Sequence, residues 1–254
     1  MDVEGFLRLL VPNEHVEPFL DSKPNNLPPR CSPAYNRLLR EADIPLRKAF
    51  ANASVRFTHF IRIADDVHVD LAWAALCRGA AVVCHDAQET VDIVIPVVYN
   101  RDKRMFKQEI TAIFIRCKLR TGRHTPTAGT DAGSIRFFGS GQLPYIAVTM
   151  DLGEGQAEIE YPPQPASTSG GIPEILSEVH PRYAIAVRGC SSHVYAAVDP
   201  EEETLYWKLL GNSMLAKHAR RGIDNLDAVR RLMPLWSSGE ASLDWVERGT
   251  GGQV

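Results

Sequence analysis

Two strand-like stretches carry ionisable residues that a plain apolar core would exclude. In TVDIVIPVVY, from Thr90 to Tyr99, the acid is Asp92; in ITAIFIRCK, from Ile110 to Lys118, the cations are Arg116 and Lys118. Runs this dense in Ile, Val and Phe read as strands buried on both faces, where an unpartnered charge is costly. Strand side chains alternate, so Asp92 shares a face with Val94 and Pro96, and Arg116 and Lys118 share one with Phe114. If the two strands are neighbours, Asp92 and Lys118 meet on one side of the sheet. Paired in this way, a carboxylate holds a divalent cation against a phosphate while an ammonium orients or activates the attacking water. A structural reading competes for the same residues: an ion pair of Asp92 with Arg116 or Lys118, or a strand-end cap, in an unrelated α/β sheet.

The elements that must position these residues follow from periodicity. Val69, Trp73, Leu76 and Cys77 fall three and four apart, which predicts a helix over 65–78 that Asp65 or Asp66 caps and Gly79 stops. Ala80 to His85, Val91 to Tyr99 and Ile110 to Leu119 then predict three strands with no room for helices between them. Further strands are expected at Leu143 to Leu152, Tyr183 to Arg188 and His193 to Val198. Gly122 to Gly141 and Gly153 to Pro173 read as loops, and 201–218 and 224–236 as amphipathic helices. The Pro/Asn-rich run from Ser22 to Pro33 cannot hold a helix or a central strand, so residues 1–33, a short helix followed by that run, read as a peripheral arm or linker. The organisation expected is an N-terminal arm and helical extension over 1–49, a mixed α/β core over 50–200 and a C-terminal helical extension over 201–254.

Composition bounds the partners. The 254 residues are 44% hydrophobic and 23% charged with a formal net charge of −3, so nucleic-acid binding would have to come from a local patch. One such patch exists: residues 101–123 hold eight Lys or Arg against two acids, among them Lys103, Arg104, Lys107, Arg120 and Arg123. A stripe of that sign attracts a phosphate backbone, and it also suits a solvated charged hairpin. Five scattered cysteines without a CxxC pair read as reduced core thiols. The acidic start and the lack of a long apolar stretch predict a protein of the cytoplasm or nucleus with no membrane partner.

With the helix carrying Trp73, the short strand at Val82, Asp92 in VDIVIP and Lys118 in IFIRCK, the chain resembles the PD-(D/E)XK, or restriction-endonuclease-like, superfamily. The likeness covers about residues 55–152 and is nearer to fungal members with a degenerate motif. It implies a mixed sheet flanked by helices in the order helix, three strands, helix, strand. It further implies Asp92 as the strand acid, Lys118 as the motif lysine and Asp70 as an auxiliary acid, with Mg²⁺ held by Asp92 and Asp70. The departure is Arg116, which stands two residues before the lysine where the family carries Glu, Asp or Gln. A guanidinium removes an oxygen ligand and sets a fixed positive charge beside the cation site. The expectation is a nuclease-like domain that binds DNA or RNA, with Asp92, Arg116 and Lys118 at its centre and metal-dependent phosphodiester hydrolysis weakened or lost. The alternative is a non-enzymatic interaction or regulatory domain on the same scaffold.

Other constellations carry less. Cys190-Ser-Ser-His193 has neighbours on a turn but no matching Asp, so nucleophilic chemistry is not expected there. His85, His124 and His193 lack the spacing of a zinc site.

Overall fold

Asp2 starts the fold: its carboxylate accepts the Gly5 N–H at 2.7 Å and caps helix α1, Val3–Leu10, which buries Val3 and Leu7. Helix α2, Asn13–Leu20, follows after Pro12 and buries Val16, Phe19 and Leu20; a single turn, α3, spans Leu46–Ala49. A computed structural model describes residues 1–27, 42–85, 90–102, 106–118, 132, 136–138, 143–153, 158–160 and 180–211. The chain divides into two compact units, Met1–Pro200 and Glu201–Val254. In the second unit the described element is helix α5, Glu203–Gly211.

The first unit is a mixed α/β fold around an eight-stranded sheet. Its strands are β1 (Ser54–Val55), β2 (His59–Arg62), β3 (Ala80–Val83), β4 (Ile93–Val98), β5 (Ile110–Lys118), β6 (Tyr145–Asp151), β7 (Glu158–Glu160) and β8 (Arg182–Arg188). Across the sheet the order is β2-β3-β4-β5-β6-β8-β7, with β1 also paired to β4. β3, β4 and β5 form an antiparallel meander, and β6 and β8 then add in parallel to β5. Helix α4, Val69–Arg78, precedes the meander and ends at Gly79, whose φ of 66° is the left-handed conformation glycine adopts without strain.

Alternation explains why the Val/Ile runs are so dense. Ile95, Val97, Ile113, Ile115, Val148 and Ile185 pack with the helical layer of Leu7, Val16 and Phe19. Val94, Ala112, Phe114, Tyr145, Ala147 and Ala184 pack on the other face with Ala72, Ala75 and Leu76 of α4. Both faces are therefore covered, as sheets with parallel strands require.

Three expectations change. Residues 1–20 are no peripheral arm: their apolar residues three and four apart supply one layer of the core, and the Met1 ammonium and carbonyl both bond Val55. Gly153 to Pro173 is not loop throughout, since β7 lies within it and pairs antiparallel with β8. His193 to Val198 forms no strand; the N–H groups of Val194 and Tyr195 both donate to the Ser191 carbonyl in a tight turn. With β6 on one edge of β8 and β7 on the other, no open edge of β8 is left for it to join. The expected helix over 224–236 lies outside the described residues. Among the described residues, no helix is long and apolar enough to cross a membrane.

Candidate functional site at the carboxyl end of the sheet

Strands β2, β3, β5, β6 and β8 all run the same way, and β4 runs against them. One end of the sheet therefore gathers five strand C-termini and the start of β4. Open α/β sheets bind ligands at that end.

Asp92 stands there, one residue before β4. It is exposed, so the two-faced burial expected at this position begins only after it, at Ile93 and Val94. Its backbone is fixed on both sides: the N–H donates to the Ile115 carbonyl at 2.9 Å, and the carbonyl accepts the Cys84 N–H at 2.8 Å. Its Oδ2 accepts the Cys117 N–H at 2.6 Å. The carboxylate thus extends the β4–β5 ladder by one bond after the backbone has turned away, which is the strand-end role. Cys84, buried beside it, has its thiol pushed up to about 12, by burial first and by the Asp92 charge second.

Arg116 and Lys118 follow on β5, both half-buried. Val94 pairs with Phe114 and Phe114 with Ala147, so by alternation Arg116 and Lys118 lie on that same sheet face, opposite Thr149 and Asp151 of β6. The structure brings Asp92, Arg116 and Lys118 to one end of the sheet, as their spacing predicts.

Asp70 is not brought there. It lies in the first turn of α4 and forms an ion pair with Lys107. Lys107 belongs to the 3-10 turn Lys107–Glu109, immediately before β5. The nine-residue β5 separates that end from Cys117 and Asp92; at about 3.3 Å per residue this is roughly 26 Å. The start of α4 is held by the bond from Val69 N–H to the Phe137 carbonyl at 3.2 Å, and the Phe137 ring packs on Phe114 in the middle of β5. Asp66, expected as a helix cap, instead meets His85 Nε2 at 3.0 Å, and His68 occupies the cap position. Of the basic stripe, Lys103, Arg104, Arg120 and Arg123 lie outside the described residues.

The two acids expected to hold Mg²⁺, Asp92 and Asp70, are not brought together, Asp70 pairing with Lys107 instead. Among the described residues no three His, Cys, Asp or Glu side chains gather into a metal-holding group. Asp92 already spends one oxygen on a backbone N–H, and Arg116 brings positive charge to the same end.

Three more residues stand at the same end, of which sequence reasoning weighed only Ser191, within Cys190-Ser-Ser-His193. Asp151, the last residue of β6, is 5% exposed; Ser191 and Tyr195, on the turn after β8, are 7% and 6% exposed. Among the described residues, the hydroxyls of Ser191 and Tyr195 find no hydrogen-bond partner. Their polar character shows in the sequence, but their burial depends on the turn replacing the expected strand. No protein-family model matches the chain, and neither a curated protein nor a solved structure shows significant similarity to it.

Proposed function

We propose that the first unit is a nucleic-acid-binding domain that holds a phosphate backbone at the carboxyl end of its sheet without cleaving it. The observation that carries this reading is the pair Arg116 and Lys118, two residues apart on β5 and half-buried on one sheet face. A half-buried cation at a strand end presents its charge with little loss of side-chain freedom, and phosphate contacts of this kind supply most sequence-independent affinity. The order helix, antiparallel three-strand meander and parallel fourth strand supports this reading, while the helix that the resemblance places before the fourth strand would fall in 119–142, mostly outside the described residues. Arg116 in place of an acid, and the engagement of Asp92 by a backbone amide, argue for binding in place of hydrolysis.

The test is paired binding and cleavage on plasmid, single-stranded DNA and RNA, with Mg²⁺ or Mn²⁺. Binding should weaken as salt rises, and the double variant Arg116→Glu/Lys118→Glu should lower the magnitude of the salt slope by about two. Absence of salt-sensitive binding would leave the scaffold as a protein-interaction or regulatory domain. Metal-dependent cleavage lost in both Asp92→Ala and Lys118→Ala would make it a nuclease after all.

A further inference from the structure

The two edges of the sheet are guarded unequally. One edge is β7, three residues long with Glu158 and Glu160 at its ends; the other is β2, which among the described residues pairs with β3 alone. Short strands, charges and proline are the usual protections of an edge. From Arg56 to Ala64 there is neither proline nor acid, and Phe60, in the middle of β2, is 54% exposed. The parallel register sets Phe60 and Arg62 beside Ala81 and Val83, and His59 and Ile61 beside Ala80 and Val82. Ala81 belongs to the core under the N-terminal helices, Ala80 and Val82 to the core under α4. By alternation, each face of β2 offers one apolar and one basic residue: Phe60 with Arg62 on the first, Ile61 with His59 on the second. His59, Phe60 and Arg62 are exposed and Ile61 is half-buried. Phe6 of α1 meets Phe57 edge-on at 6.3 Å, and Phe57 meets Phe60 at 5.5 Å, so the apolar layer continues outward to the edge and ends there in solvent.

We propose that β2 is a docking edge for an extended segment of another protein in which an acid, two apolar residues and a second acid follow one another. The segment adds a strand to the sheet: its main chain continues the hydrogen-bond ladder and its side chains give the specificity. Directly opposed residues share a face. One acid therefore stands opposite Arg62, the apolar pair opposite Ile61 and Phe60, and the other acid opposite His59, whose imidazole donates an N–H to it. The pattern reads the same in either strand direction. A second copy of β2 is disfavoured, because it sets Arg56, His59 and Arg62 against the same three residues with no acid among them. A nucleic-acid strand would meet the cations but has no peptide groups to extend the ladder. The edge stands independently of the phosphate-binding reading, since β3 and β4 lie between β2 and the strand carrying Arg116 and Lys118.

Fluorescence anisotropy of the full chain tests this with the labelled peptide Gly-Ser-Glu-Val-Ile-Glu-Ser-Gly. The controls are the same peptide with Lys for both Glu, and with methyl groups on the Val and Ile main-chain nitrogens, one of which faces β2 in either strand direction. The acidic peptide should bind saturably, and neither control should. Phe60→Thr, which keeps a residue suited to a strand, should weaken binding about two- to fivefold, the worth of one cross-strand pair. The double variant His59→Glu/Arg62→Glu should release the acidic peptide and take up the Lys peptide, a rescue that a folding defect cannot produce. Phe60→Thr should leave DNA binding unchanged, and loss of DNA binding with peptide binding intact would sink the phosphate-binding reading alone. No binding of the acidic peptide, equal binding of its methylated form, unchanged affinity in folded Phe60→Thr, or failure of the charge swap would each overturn the proposal. So would self-association of the chain that Phe60→Thr abolishes, which would give the edge to a second copy.

Discussion

The carboxylate of Asp92 accepts the backbone N–H of Cys117 at 2.6 Å, so the acid that most suggests chemistry is also the last bond of the β4–β5 ladder. Asp92→Ala should lower stability by about 1 kcal/mol, the ordinary worth of such a bond, and Asp92→Asn, which keeps an acceptor oxygen, by less. Urea unfolding of the two variants checks the ranking. Equal losses in both would mean that the charge, not the hydrogen bond, matters at this position.

Two residues earlier, Thr90 holds a φ of 69°, a left-handed conformation that a β-branched side chain resists. Thr90→Gly should raise stability by about 1 kcal/mol, seen as a higher Tm, because it removes the steric cost of that conformation.

The converse holds at the end of α4. Gly79 has a φ of 66°, and a Cβ built there would meet only Thr58 Oγ1, at 4.0 Å. Space is not limiting, so Gly79→Ala should cost about 1 kcal/mol through backbone strain alone. A loss of several times that in denaturant unfolding would show a packing role that the geometry does not contain.

Alkaline stability follows from the buried phenols and thiols. Cys84 is raised from 9.0 to about 12, and Tyr99, Tyr183 and Tyr195 are raised from 10.0, all chiefly by burial. Each group ionises first in the unfolded chain, so the unfolded state sheds protons while the native state keeps them. Stability should therefore be level below about pH 8 and fall steadily as pH rises through 9 and 10 toward 12. Urea midpoints across that range measure the slope, and Cys84→Ala should flatten its lower part.

Much of this architecture was written into local pattern. The meander was legible because Val94, Phe114 and their neighbours belong to runs buried on both faces, and Gly79 marked the end of α4. Asp92, Arg116 and Lys118 converged because alternation and adjacency fix strand partners. What escaped reading depended on contacts distant in sequence. Val3 and Leu7 look like an ordinary amphipathic end until a sheet face needs covering. Asp70 has the right type on the right helix, but the direction in which α4 crosses the sheet sends it to Lys107. Tyr195 sat in a predicted strand whose place β7 had taken, and Ser191 in the turn leading to it.

The position of β5 has a consequence for how the molecule comes together. On one side it pairs antiparallel with β4, its near neighbour in sequence; on the other it pairs in parallel with β6, across the connection from Lys118 to Tyr145. Contacts between near neighbours form before those that must first close a long loop. The β3–β5 meander is thus the natural early structure, and the strand bearing Arg116 and Lys118 gains one edge before the other. Until β6 and β8 arrive, β5 is an open, apolar edge, the state in which a nascent chain of this protein is most exposed to pairing with the wrong neighbour.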